Sequence, residues 1–288
     1  MTRKTGFADP HFHPNPLRGD DLDTFIRRYR EAGGWFAGIV SLPPWNYGLE
    51  PSWDNYLKVM DLMEKICESF RSFGIKAFCF SGFHPAEVDK LIDTYGYKPI
   101  EVVELGFKVI DEVSKRCVEG KLQGLGEVGR QHYKTFADRA VISELILEHA
   151  LTKVKDHKCP VQMHLENTKS TVQLVNIIIK HIRLSPSEKE LIIFHHAKPG
   201  MIPEIKEGGY SATIPGTKKQ VLEYLYQSYS PVYMLESDYV GGSKNPSNTA
   251  PWEMFSMINA ILQDEEYLYK IMYENVQRAF HVDTLEQP

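Results

Sequence analysis

The chain has 288 residues, a formal net charge of −5 at pH 7, and a composition that is 42% hydrophobic and 25% charged. This composition is ordinary for a folded globular protein, so it excludes a disordered chain, and the length suits one large domain or two small ones. The acidic balance, with a sequence pI near 6.1, argues against a basic surface for non-specific binding of nucleic acid.

The first stretch with a chemical signature is an HxH sequence, His11 and His13, which follows a predicted strand over residues 6–10. Side chains of a strand alternate between its two faces, so both imidazoles face the same side, as a divalent metal site requires. We expect Asp9, two residues before His11, to orient one of the imidazoles from behind.

Helical and strand patterns then alternate along the whole chain. The predicted strands are continuous apolar runs, typical of strands that are buried on both faces, and they cover residues 6–10, 35–42, 75–80, 122–129, 160–165, 191–196, 210–214 and 232–238. The helical patterns have apolar positions at spacings of three and four, and they cover 20–32, 53–73, 86–95, 99–118, 137–157, 168–183, 200–207, 217–228 and a long region after 251.

This alternation predicts the fold class. Strict alternation implies a parallel sheet, and eight units in under 300 residues predict a closed (β/α)8 TIM-type barrel. We expect a single domain over residues 1–288, because no linker, charge run or low-complexity segment divides the chain. An open doubly wound sheet is the alternative.

Cysteine usage and the N-terminus bear on the compartment. The cysteines form no CxxC pattern, so we expect buried thiols in a reducing compartment; they are Cys67, Cys79, Cys117 and Cys159. No apolar segment follows the positive charges at the N-terminus, and no run of about 18 apolar residues occurs in the chain. We therefore expect a cytoplasmic protein with no membrane partner.

Ionisable side chains follow most of the predicted strands, at the end of the barrel where active sites lie. In chain order they are His11 and His13, His84, Glu127, His164, the adjacent His195 and His196, and Asp238. Taken singly, each is more typical of hydrogen-bonded structure than of a ligand. Taken together, they would be costly to bury at one end of a barrel without a cation.

Four of these histidines together with the two carboxylates already exceed the ligand set of one tetrahedral ion. We therefore expect two divalent metal ions about 3.5–4 Å apart that activate a water for hydrolysis. Glu127 is expected to bridge the two ions. Asp238 is expected to act as a ligand and to accept a proton from the attacking water.

These segments, in this order and spacing, resemble the TatD-like metal-dependent hydrolases of the amidohydrolase superfamily over most of the chain. The segments that carry the resemblance are Asp9-Pro10-His11-Phe12-His13, Gly82-Phe83-His84-Pro85, Gly126-Glu127-Val128-Gly129, His164 at a strand end, His196 four residues before Gly200, and Leu235-Glu236-Ser237-Asp238.

The resemblance also implies a ligand set for each ion. One ion is held by His11, His13, Glu127 and Asp238, and the second is held by Glu127, His164 and His196. Family position favours His196 over His195. Strand periodicity does not separate the two, because only one of them can face the barrel interior and the register is not known from the sequence.

Two positions depart from the family pattern. Gln131 stands where these nucleases usually carry Asp, and Glu166 stands where they usually carry Arg, a natural partner of phosphate. A carboxylate at position 166 would repel a DNA backbone. Positive charge from Arg130, Lys198 or Lys244 could offset this, but we expect all three to be solvated surface groups.

The favoured function is a binuclear metal-dependent hydrolase of the TatD-like type that acts on a nucleic-acid phosphodiester or a small molecule, with His84 as a substrate contact. Zinc is the expected metal, with manganese, magnesium, cobalt or nickel as alternatives. A small-molecule amidohydrolase, lactonase or esterase of the same superfamily is the first alternative, favoured by Glu166, the acidic pI and loop aromatics such as Trp45 and Tyr47. A barrel that binds metal without catalysis is the second alternative.

Overall fold

The computed structural model describes residues 6–19, 21–226, 231–245 and 247–282. Eight parallel strands lie side by side in chain order. They are β1 Phe7–Phe12, β2 Gly34–Val40, β3 Lys76–Ser81, β4 Gly124–Gly129, β5 Val161–His164, β6 Ile192–His195, β7 Ser211–Pro215 and β8 Met234–Glu236. Sequential strand order in a nearly closed barrel confirms the predicted (β/α)8 fold and is not the order of a doubly wound sheet.

Helices cover the outside of the barrel. They are α1 Leu22–Glu31, α2 Trp53–Ser72, α3 Pro85–Asp93, α4 Pro99–Val118, α5 Ala137–His157, α6 Lys169–Ile182, α7 Pro186–Glu190, α8 Ile202–Gly208, α9 Lys218–Tyr226, α10 Pro251–Ile261, α11 Glu265–Tyr269 and α12 Asn275–Phe280. Helix α7 was not predicted, and parts of the predicted ranges 20–32 and 217–228, at residues 20 and 227–228, lie outside the described residues. Within the described part of the chain, no helix combines the length and apolar character needed to cross a membrane.

The seam that closes the barrel lies at the level of the HxH sequence. The Asp238 N–H donates to the His11 carbonyl at 3.1 Å, and the His13 N–H donates to the Tyr239 carbonyl at 2.6 Å. The Gly241 N–H donates back to the His13 carbonyl at 2.8 Å. These backbone bonds between β1 and the end of β8 place Asp238 beside the two histidines.

The prediction that the cysteines are free thiols is wrong, because all four form disulfide bonds. Cys67 on α2 is bonded to Cys79 on β3, and Cys117 on α4 is bonded to Cys159 just before β5. The two cysteines of the first bond are 12 positions apart in the sequence, and those of the second are 42 positions apart. No local sequence pattern indicates either pairing. The cysteines therefore give no support to a reducing compartment.

We expect no cysteine to react with an alkylating reagent when the protein is unfolded without reductant, and four to react after reduction, as measured by mass spectrometry. Each bond closes a loop of the unfolded chain, so the double variant Cys117→Ser/Cys159→Ser should lose about 2–4 kcal/mol of unfolding free energy. Four alkylated cysteines before reduction would contradict both disulfides.

Candidate metal centre

Four side-chain atoms converge where β1 meets β4 and the end of β8. The Nε2 atoms of His11 and His13 lie 3.1 Å apart. Glu127 Oε1 lies 3.5 Å from each of them, and Asp238 Oδ1 lies 3.7 Å and 3.4 Å from them. Because zinc–nitrogen bonds are about 2.0–2.1 Å long, tetrahedral ligand atoms lie about 3.3–3.4 Å apart. These five distances therefore suit the ligand atoms of one tetrahedral ion.

Both β1 imidazoles are held from behind by an acceptor. The Nδ1–H of His13 donates to the Val40 carbonyl at 2.9 Å. The Nδ1–H of His11 donates to the side-chain oxygen of Gln162, whose amide nitrogen donates to the Pro10 carbonyl at 2.9 Å. These partners assign a proton to Nδ1 of each ring, so Nε2 of each ring faces the cluster and offers a lone pair whenever the ring is neutral.

Asp9 does not orient an imidazole, so that prediction is wrong. Its Oδ1 accepts the backbone N–H groups of His11 and Ser237 at 3.2 Å and 3.1 Å. Burial raises the pKa of Asp9 to about 8. Asp9 thus ties the backbone of β1 to that of the β8 end, while Gln162 takes the role that the sequence assigned to Asp9.

A second group of donors faces the other oxygen of Glu127. Glu127 Oε2 lies 2.6 Å from His164 Nδ1 and 3.6 Å from the Nε2 atoms of both His84 and His195. The two oxygens of this buried carboxylate therefore face two different sets of imidazoles. A carboxylate in this arrangement can bridge two ions.

The two adjacent histidines after β6 take different positions. His195 is buried, its Nδ1–H donates to Glu236 Oε2 at 2.7 Å, and its Nε2 is buried without a hydrogen-bond partner among the described residues. His196 has a left-handed backbone with φ 54° and is one-quarter exposed. Its Nδ1 lies 2.9 Å from Glu236 Oε1 and its Nε2 lies 3.4 Å from Asp238 Oδ2. The orphaned nitrogen of His195 is the one that needs a further partner.

Charges inside the centre suit a divalent cation. Burial alone would raise the pKa of Glu127, but the imidazoles of His84 and His195 and hydrogen bonds hold that pKa well below its usual range. Burial likewise opposes ionisation of Asp238, and hydrogen bonds from His13 and His196 lower its pKa well below normal. Burial lowers the pKa of His84 to about 4 and that of His195 to about 3. At neutral pH the two carboxylates are ionised and these two imidazoles are neutral, as metal ligation requires.

His84 begins helix α3 as its N-cap residue. The Ala86 N–H donates to His84 Nδ1 at 3.0 Å, and the His84 N–H donates to Glu87 Oε1 at 2.7 Å. Because Nδ1 accepts a hydrogen bond, the proton of the neutral ring is on Nε2. His84 therefore presents a donor to the centre.

The sequence did not predict a functional role for three residues of the centre, which are Gln162, Glu236 and His132. His132 Nδ1 lies 2.5 Å from His164 Nε2, and the two rings stack with centroids 4.6 Å apart. Because the ionised Glu127 carboxylate can only accept, the Nδ1–H of His164 donates to Glu127 Oε2 and the Nε2 of His164 accepts from the Nδ1–H of His132. Gln162 precedes His164 by two residues and Glu236 precedes Asp238 by two, so strand alternation could have pointed to both. His132 lies in a loop and carries no such signal.

A family model described as TatD related DNase matches residues 8–281, nearly the whole chain. The chain belongs to the TatD related DNase family. It is therefore a hydrolase, as the sequence predicted.

Individual proteins are similar to this chain over nearly its whole length. An uncharacterized protein of Methanocaldococcus jannaschii is 27% identical over 286 residues, 96% of either chain. The structure of the TatD homologue YJJV from Escherichia coli K12 has a TM-score of 0.66 at 14% identity, covering 96% of this chain and 98% of that one. An organophosphorus hydrolase from Deinococcus radiodurans has a TM-score of 0.60 at 13% identity, covering 96% and 93%. At these identities the two structures share the barrel fold.

The substitution at Glu166 is compensated within this TatD chain. Arg130 donates from Nε to both oxygens of Glu166, at 2.9 Å and 3.2 Å, and from Nη2 to one of them at 3.0 Å. It also reaches Glu144 at 2.5 Å. Arg130 is only 9% exposed, so its prediction as a solvated surface group is wrong. Lys198 and Lys244 are exposed as predicted.

The other departure, Gln131, serves the start of α3. Its Nε2 donates to the Pro85 carbonyl at 3.1 Å and to Asp89 Oδ2 at 2.9 Å. This buried amide fixes the helix that His84 begins. The rings of Trp45, in the segment before α2, and Trp53, the first residue of α2, lie under Lys90 and Lys108 respectively. Packing within the protein therefore accounts for these two rings.

Removing the carboxylate of Glu166 is expected to lower the unfolding free energy by about 1–2 kcal/mol, because Arg130 keeps its charge but loses the carboxylate that accepts its Nε and Nη2 hydrogen bonds. Glu166→Arg, which restores the usual family residue, should destabilise more, since it sets two guanidinium groups together. Urea unfolding of Glu166→Ala and Glu166→Arg measures both effects. The control is Glu31→Ala at an exposed helix end, whose unfolding free energy should stay within about 0.5 kcal/mol of wild type. Equal stability of Glu166→Arg and wild type would contradict the pairing.

Proposed function

We propose that this protein is a binuclear metal-dependent hydrolase of the TatD type that cleaves phosphodiester bonds. The observation that carries the proposal is the position of Glu127, whose two oxygens face two separate sets of imidazole nitrogens. The first set, with Asp238, has the spacing of a tetrahedral ion. Zinc is the proposed metal, with manganese, magnesium, cobalt or nickel as alternatives for a site of this donor chemistry.

One ion would be held by His11, His13, Glu127 and Asp238. The second would be held by Glu127, His164 and one histidine at the end of β6. The orphaned Nε2 of His195 supports His195 in this place, whereas family position favours His196.

Bound divalent ions would activate a water and neutralise charge that develops on the substrate. Asp238 stays ionised at neutral pH, so its carboxylate can accept a proton from the attacking water. The Nε2 of His196, 3.4 Å from Asp238 Oδ2, holds that carboxylate in place. The Nε2–H of His84 points toward the same space and is proposed to donate a hydrogen bond to a substrate oxygen.

A small-molecule lactone or ester is the second candidate substrate. Arg130 is occupied by Glu166 and Glu144, so neither it nor position 166 offers a free guanidinium for a phosphate. This favours a substrate without an extended anionic backbone. A cytoplasmic location stays a prediction, since the two disulfides are more typical of oxidising compartments.

Elemental analysis of the purified protein, followed by assays on single-stranded DNA, bis(p-nitrophenyl) phosphate and a simple lactone, tests the proposal. We expect about two equivalents of divalent metal and hydrolysis that a chelator abolishes. Cleavage of the lactone alone would assign the second candidate. Bound metal without hydrolysis of any of the three substrates, with the same metal content in wild type and Asp238→Asn, would indicate a barrel that only binds metal.

The β6 ligand is decided by two matched variants. His195→Asn is expected to lower the metal content from about two equivalents to about one, because it removes the third donor of the second ion. His196→Asn should keep both ions and lose hydrolysis by about 10–100-fold through the freed Asp238 carboxylate. Loss of an ion from His196→Asn alone would return the role to His196.

A further inference from the structure

The outer surface of helices α5 and α6 carries an apolar face. Eleven large hydrophobic side chains are well exposed among the described residues, and four of them lie on these two neighbouring helices. Val141 and Leu145 of α5 are 58% and 41% exposed, and Leu174 and Ile177 of α6 are each 53% exposed. A contiguous exposed apolar patch on a folded domain marks a binding surface more often than a single exposed side chain does.

Two shallow grooves flank these side chains and join them into one surface. One groove of about 380 Å³ is lined by Val141, Leu174 and Ile177, and another of about 290 Å³ is lined by Leu145 and the neighbouring part of α6. Ile178 lines both grooves. The surface therefore offers both protruding side chains and depressions that can receive them, as a self-complementary interface requires.

The two helices present the same pattern at the same height. On α5 the exposed order is Val141, Leu145, Glu148, and on α6 it is Leu174, Ile177, then Lys180 with His181. On each helix, two exposed apolar side chains are followed by a charged one, at spacings of three or four residues. Glu148 and His181 line the same groove, so the charged ends of the two series are level with each other.

The charged ends have opposite sign. Glu148 and Lys180 are both exposed, and neither forms an ion pair with a described residue. Helices α5 and α6 run in the same direction, because each returns along the outside of a parallel barrel. A two-fold axis parallel to both helices would lay α5 of one molecule over α6 of another at the same height.

We propose that this face binds a second copy of the chain in a two-fold homodimer. Val141 then packs against Leu174 of the second copy, Leu145 packs against its Ile177, and Glu148 faces its Lys180. Every contact occurs twice, as in any isologous interface. The face lies on the outer side of the barrel, and one of its grooves extends to Arg130 just after β4. The proposed dimer uses only this outer surface and does not depend on the proposed function.

Sedimentation equilibrium of the full chain over a range of concentrations tests the proposal. Wild type should approach twice the chain mass of 33.1 kDa, and Leu174→Glu should weaken the dimer by about 100-fold or more. Leu222→Glu on α9, an exposed leucine away from the face, is the matched control and should stay dimeric. A monomeric wild type at every concentration, or a dimer that Leu174→Glu leaves intact, would overturn the proposal.

Charge reversal provides a second test that keeps the apolar side chains. Glu148→Lys and Lys180→Glu should each weaken the dimer, and the double variant should recover most of the loss, because the reversed charges face each other again. No recovery in the double variant would overturn the proposed register. Circular dichroism and metal content of each variant confirm that a change of mass is not a change of fold.

Discussion

Glu127→Gln is expected to remove both metal ions from the purified protein and to lower hydrolysis by more than about 100-fold, since loss of an outer hydrogen-bond partner alone costs 10–100-fold. The substitution keeps the size of the side chain and removes its charge. Both oxygens of Glu127 face imidazole nitrogens, at 3.5 Å on one side and 2.6–3.6 Å on the other. A neutral amide can present one acceptor and one donor, so it cannot serve both sets.

Metal content by elemental analysis and hydrolysis of the best substrate measure this effect together. Glu188→Gln is the matched control, because Glu188 is a buried carboxylate on α7, before β6 begins, where it pairs with Lys158. We expect Glu188→Gln to keep both ions and full activity. If Glu127→Gln retained two equivalents of metal, the bridging role would be wrong even if activity fell.

The barrel could be predicted from the sequence because its strands are buried on both faces and therefore appear as uninterrupted apolar runs. The run at 35–42 became β2, Gly34–Val40, with a shift of one or two residues at its ends. The strand before the HxH sequence extends further than predicted, to Phe12, which pairs with Ile39 of β2, and residues after β8 bond to the backbone of His11 and His13. That pairing is a long-range contact and has no local pattern.

The ligand candidates could be predicted because all parallel strands end at the same rim. Their partners could not, since these depend on how one strand is set against the next. Gln162 reaches His11 across the barrel, and His132 reaches His164 from a loop. Which of His195 and His196 faces the metal centre depends on the left-handed backbone conformation of residue 196. The presence of a histidine at that position does not predict this conformation.

Metal binding at about pH 6, below the raised pKa of His13, is expected to release a proton from most protein molecules. Burial alone would lower the pKa of His13, but the hydrogen bond with Asp238 and the negative charges of Glu127 and Asp238 raise it above its ordinary value of 6.5. The metal-free protein therefore keeps a proton on His13 in most molecules at about pH 6, which lies below even the ordinary histidine value. A metal ion needs the lone pair that this proton occupies, so the proton must leave on binding.

The sign of the pH dependence follows from this competition. Below the raised pKa of His13, the apparent metal affinity should fall about tenfold for each pH unit and each proton displaced; above that pKa the affinity should level off. Titration calorimetry of the metal-free protein with zinc, in buffers of different ionisation enthalpy, counts the protons released. Circular dichroism at each pH separates loss of affinity from loss of fold. A binding enthalpy that is the same in every buffer would contradict a protonated His13, and it would remove the electrostatic reason for expecting metal loss in mild acid.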